Sequence, residues 1–75
     1  MEKTLCDLKE NESSTIQNIS GDNFAIIRRL MELGFLPERN VKIIKKSFSK
    51  HTVLVEIENY VLALRCKVAD YVKVN

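Results

Sequence analysis

Three side chains of this 75-residue chain have the chemistry to hold a soft metal or act as nucleophile and base: Cys6, His51 and Cys66. A nucleophile needs a base within hydrogen-bond reach, and zinc or redox sites use cysteines paired at short spacing. Neither cysteine belongs to a C-x-x-C pair, and His51 falls between Lys50 and Thr52 at a predicted hairpin turn, where it reads as a solvated polar residue. A metal centre built from these three would require distant segments to converge, so no metal ligand, cofactor or catalytic residue is assigned. Gly21 and Gly34 are the only glycines, which leaves no glycine-rich turn to cradle a phosphate. The aromatics Phe24, Phe35, Phe48, Tyr60 and Tyr71 are dispersed, so they form no stacking platform for bases or proline-rich peptides. The sequence reads as that of a non-enzyme.

Surface chemistry remains, concentrated in "RRLMELGFLP" at residues 28–37. Arg28 and Arg29 are adjacent on a predicted helix, about 100° apart around its axis, so they cannot both face the core. Phe35 and Leu36 follow the helix stop. They are either exposed to a partner or tucked under the end of the fold, and the sequence leaves both open. Exposed, they would form an apolar anchor rimmed by Arg29 and Arg39; these four residues are the candidate partner-binding set.

The elements that must position this stretch follow from periodicity. Ser14 to Ile19 is β-branched and ends at Ser20-Gly21-Asp22, which predicts a first strand and a tight connection. From Asn23, the residues Ile26, Ile27, Leu30 and Leu33, with Phe24 and Met31 alongside, recur at helical spacing, and Asp22 or Ser20 can cap the start. Gly34 supplies the positive φ of a helix stop, and Pro37 prevents resumption. Val41, Ile43, Ile44 and Phe48 predict a strand with a bulge, followed by strands over Val53–Ile57 and Tyr60–Leu64. Short turns at Ser49-Lys50 and Glu58-Asn59 imply antiparallel hairpins. A turn or short helix at 67–70 leads to a last strand, Tyr71 to Val74. Five short strands with one α-helix inserted after the first predict a mainly β, SH3-like small barrel, with most Val, Ile and Leu side chains in its core.

Composition agrees with one globular domain over residues 1–75: hydrophobic residues make up 45% and charged residues 29%. No apolar run approaches the ~20 residues of a membrane helix, and the N-terminus does not read as a signal peptide, so a cytoplasmic location is expected. With only two cysteines in so short a chain, reduced thiols are expected rather than a disulfide. The net charge of +2 identifies no partner, although Arg39, Lys42, Lys45, Lys46 and Lys50 give the middle of the chain a basic bias.

The string "RRLMELGFLP" resembles the signature of the FeoA family of small ferrous iron transport accessory proteins, through Arg29, Leu30, Leu33, Gly34 and Pro37. The closing segment "YVLALRCKVADYVKV" is similar to the family's last strands at Leu62, Ala63, Leu64, Arg65, Ala69 and Val74, and Leu5, Leu8 and Ile19 match its opening. Three turns depart from the pattern: Glu38 and Asn11 stand where glycine is common, and "SFSKHTVLVEI" lacks the usual glycine-aspartate-proline hairpin. The resemblance implies an SH3-like adaptor without an active site, acting in the cytoplasm with the membrane ferrous iron transporter FeoB and recruited through it to the inner face of the membrane. Two alternatives stand beside it. One is a basic barrel binding nucleic acid through Arg39, Lys42, Lys45, Lys46 and Lys50; the other is an isolated regulatory module related to the barrels of iron-dependent repressors. FeoB is the expected partner and no nucleic acid is expected.

Overall fold

The computed structural model describes residues 3–47, 49 and 51–75. Phe48 and Lys50, expected at the end of a strand and in the basic cluster, lie outside the described residues. In chain order the elements are β1 (Lys3–Thr4), a 3-10 turn (Leu5–Asp7), β2 (Ser13–Ile19), α1 (Phe24–Glu32), β3 (Asn40–Lys46), β4 (Thr52–Ile57), β5 (Tyr60–Arg65), α2 (Cys66–Ala69) and β6 (Val72–Val74). The strands form one antiparallel sheet in the order β1-β6-β2-β3-β4-β5.

The fold is mainly β with one principal helix after its first long strand, as expected, but the sheet carries six strands and is not closed. The additional strand, β1, is two residues long and pairs Lys3 with Val74 and Thr4 with Lys73. Alternation sends Val41 and Ile43 of β3, Val53, Val55 and Ile57 of β4, and Val72 and Val74 of β6 into one core. The register of β3 against β4 shifts between Ile43 and Lys45, at the offset that the sequence places beside Ile44.

Asn23, rather than Asp22 or Ser20, caps α1: its side-chain oxygen accepts from the backbone N–H groups of Ala25 at 3.0 Å and Ile26 at 3.4 Å. Asp22 instead accepts the Tyr71 hydroxyl at 2.9 Å, while that hydroxyl oxygen accepts from the Asn23 N–H at 3.1 Å. These bonds tether the start of the helix to the residue before β6.

The helix ends as the glycine predicts. Gly34 has φ +105°, its N–H donates to the Met31 carbonyl at 3.1 Å, and the Phe35 N–H donates to the Leu30 carbonyl at 3.0 Å. This is a Schellman arrangement, in which the residue after the left-handed glycine is thrown back against the last helical turn. Asn11 at φ 68° and Glu38 at φ 74°, the two positions where the sequence departs from glycine, also adopt left-handed backbone. The departures therefore alter the side chain and not the turn.

The expectation of reduced thiols is overturned: Cys6 and Cys66 are joined in a disulfide, with Cα atoms 5.8 Å apart. Pairing of β1 with β6 lays the 3-10 turn beside α2, which brings together two cysteines 60 residues apart in sequence. No local spacing rule registers such a pair.

Candidate partner-binding site

Among the described residues, no three His, Cys, Asp or Glu side chains converge as a metal site would require.

The inner face of α1 carries Leu30, which is buried, and Ile26 and Leu33, packed against the core. A second apolar stripe faces outward: Phe24 is 78% exposed and Met31 43%, with Ile27 between them and Arg28 beside them, 3.8 Å from Glu32. Spacing alone groups Phe24 and Met31 with the inward face; the structure puts them on the outside.

The four residues of the candidate set do not form one patch. Phe35 is fully buried, so its half of the proposed exposed anchor is corrected: the Schellman turn sends it into the same apolar cluster as Leu30. Leu36 is half-buried, and its carbonyl accepts from the Arg39 N–H at 3.2 Å. Arg39 forms an ion pair with Glu58 and lines a shallow, mixed-charge depression with Glu38, Lys42 and Glu56. Arg29 lies elsewhere, over a different opening.

That opening is a groove of about 430 Å³ between α1 and β5. Ala25, Ile26 and Leu33 line it from the helix side, Leu62 and Ala63 from β5 and Val68 from α2, with Arg29 the only charged side chain lining it among the described residues. The Tyr60 hydroxyl donates to the Leu33 carbonyl and ties the end of the helix to β5. Arg29 has no carboxylate within ion-pair distance among the described residues, in contrast to Arg28 and Arg39. An unpaired guanidinium over apolar walls suits a partner that offers both hydrocarbon and a carboxylate.

The basic cluster of the middle segment is partly spent on the protein itself. Arg39 is paired with Glu58, Lys42 lies opposite Glu56 in the β3–β4 register, and the Lys46 ammonium donates to the Cys6 carbonyl at 3.1 Å. Among the described residues, two titrating groups are displaced from their ordinary values, and neither lines the groove. The Tyr71 hydroxyl is pushed up by its bond to Asp22, and the Glu12 carboxyl is held down by the Lys9 N–H and by Lys3.

The strand order and the single principal helix define a small SH3-like β domain. The family model described as the FeoA domain matches residues 3–75. The chain is 31% identical over 72 residues, 96% of each chain, to a Campylobacter jejuni protein named "Putative Fe(2+) transport protein A". It superposes on the FeoA of Stenotrophomonas maltophilia, an SH3 domain protein solved with zinc, with a TM-score of 0.87 and 32% identity over 97% of this chain and 89% of that one. The chain belongs to the FeoA family of ferrous iron transport accessory proteins. A manganese-dependent transcriptional repressor shares the fold alone, with a TM-score of 0.89 at 15% identity, covering 99% of this chain and 36% of the repressor.

Proposed function

We propose that the chain acts in the cytoplasm as a docking module that binds the cytoplasmic part of the ferrous iron transporter FeoB and modulates its flux, reaching the inner face of the membrane only through that partner. The observation that carries this reading is the unpaired Arg29 over an apolar groove, in a domain whose described residues assemble no metal or catalytic cluster. Among the described residues, no helix is long and apolar enough to cross a membrane. Within the candidate set, Arg29 is the partner-facing group and Leu36 a secondary contact, while Phe35 supports the surface from beneath. Arg39 is committed to Glu58.

Co-purification of the tagged chain with the transporter, combined with measurement of ferrous iron uptake, tests the reading. Capture of the transporter together with impaired uptake on deletion of the chain is the expected result. Normal uptake on deletion, with no transporter captured, contradicts it. Submicromolar, steeply salt-dependent binding to nucleic acid that is lost on replacing Lys45 and Lys46 with glutamate would favour the basic-barrel alternative.

A further inference from the structure

The outer strand of the sheet carries information that its side chains do not. In an antiparallel pair, alternate residues turn both backbone groups toward the neighbour and the rest turn both away. The phase for β5 is set at both ends. The two-residue turn Glu58-Asn59 joins Ile57 to Tyr60 as facing partners, and at the other end the Cys66 N–H donates to the His51 carbonyl at 2.8 Å. Tyr60, Leu62, Leu64 and Cys66 therefore turn their backbone groups toward β4. Val61 and Ala63 turn theirs, and Arg65 its N–H, to the open edge, where no further strand lies among the described residues.

We propose that this edge, with the groove beside it, takes up an extended acidic and apolar segment of a partner protein as an added strand. The proposal rests on the docking reading above and names its surface and the chemistry of its occupant. Val61 and Ala63 each offer one N–H and one C=O and Arg65 its N–H, its C=O being taken up as the N-cap of α2; these groups are the backbone template that strand addition uses. An added strand sends alternate side chains to the two faces of the sheet. One set follows Leu62 and Leu64 toward the apolar groove, where Ala25, Ile26 and Val68 receive hydrocarbon. The other set follows Val61 and Arg65 outward.

Charge selects the occupant. Arg29 at the groove, Arg65 at the end of β5 and Lys67 on α2 all lack a carboxylate within ion-pair distance among the described residues, and no acidic residue lines the groove. His51, Arg65 and Lys67 also line one depression beyond the strand end, again without an acid. A segment alternating apolar residues with carboxylates fits both the groove and this fringe. A second copy of the chain, pairing β5 with β5, would bring the same cations with nothing to answer them, so self-pairing is disfavoured.

The test uses the isotopically labelled full chain titrated with blocked heptapeptides in which valine alternates with glutamate, with lysine or with serine, followed by amide NMR shifts. The glutamate peptide is expected to move the amides of Val61, Ala63 and Arg65 and protect them from exchange, with the lysine peptide binding on the order of tenfold more weakly. Ala63→Pro removes an outward N–H without touching the β4 ladder, and Arg29→Glu reverses the charge at the groove. Each should abolish binding while circular dichroism shows the fold retained, and if the proline variant unfolds, the arginine variant alone decides. Equal binding of the lysine and glutamate peptides, shifts confined to Phe24 and Met31, or no shifts at millimolar peptide would overturn the proposal. Capture of the transporter by wild type and by both variants alike would sink this surface and leave the docking reading standing. Failure of wild type to capture it, with the peptide result positive, would sink the docking reading instead.

Discussion

At one end of the sheet β1 presents two residues and is tied down by its surroundings; at the other, β5 presents six residues and is held laterally by β4 alone. The turn after β1 is joined by the Cys6–Cys66 disulfide to the residue that follows β5, and β1 and its neighbours add the Thr4 hydroxyl 3.0 Å from an Asp70 carboxylate oxygen, the Lys3–Glu12 pair at 3.4 Å and the Lys46 bond to the Cys6 carbonyl. The β5 end has a hydrogen bond from Tyr60 to the helix and, beyond it, a groove. An exposed edge is a hazard for aggregation that proteins ordinarily shorten or cover. Here β1 is held by these bonds, and β5 runs six residues beside cations that have no carboxylate partner among the described residues. The same disulfide, through Cys66 directly after Arg65, also anchors the C-terminal end of β5.

Breaking the staple should have the largest effect. Reduction of the disulfide, or Cys6→Ser, frees a long loop in the unfolded chain and should lower stability by roughly 2–4 kcal/mol. Binding at the β5 edge should survive wherever the domain remains folded. Denaturant titration with and without reductant measures the first, and peptide titration the second; identical midpoints with and without reductant would remove the staple from the account. Gly34→Val forces a β-branched side chain to φ +105° and should cost about 1–2 kcal/mol or more, shifting α1 and therefore the width of the groove. Thermal melting checks it, and an unchanged midpoint would mean that the turn tolerates the side chain.

Smaller changes sharpen the contrast. Tyr60→Phe deletes the bond that ties the helix end to β5, so stability should fall by about 0.5–1.5 kcal/mol and amides in the last turn of α1 should exchange faster. A variant with unchanged exchange would show that the helix is positioned by packing alone. Acid should act weakly and at the β1 end. Because folding lowers the Glu12 pKa below its ordinary 4.5, its contribution is present above that value and is lost as pH falls through the depressed folded value. Glu12→Gln should flatten that part of the stability profile, and an unaltered acid limb would assign it to other carboxylates.

Strand periodicity was legible wherever one face is buried, as at Val53, Val55 and Ile57, and the Gly34 stop followed from the steric cost of positive φ. The β1 strand was not legible, because two residues carry no period and their partners Lys73 and Val74 lie at the far end of the chain. The disulfide was hidden for the same reason. Phe35 was legible only in part: an apolar residue directly after a capping glycine is the mark of a Schellman turn, which points it inward, and that signal was available in "ELGFLP". Arg29 could be named from sequence as a candidate, but the groove it lies over could not, since Leu62, Ala63 and Val68 reach it through tertiary packing. The outward phase of β5 needed the observed register as well as the predicted Glu58-Asn59 turn.

Native-state amide hydrogen exchange along residues 60–65 tests the two-edge account most directly, because it reads the backbone groups themselves. Alternation is expected in the free protein: Leu62 and Leu64 protected by β4, Val61, Ala63 and Arg65 exchanging fast, and these three becoming protected when the cytoplasmic part of the transporter is added. Uniform protection from Val61 to Arg65 in the free chain would mean that the edge is already covered, and would contradict the account.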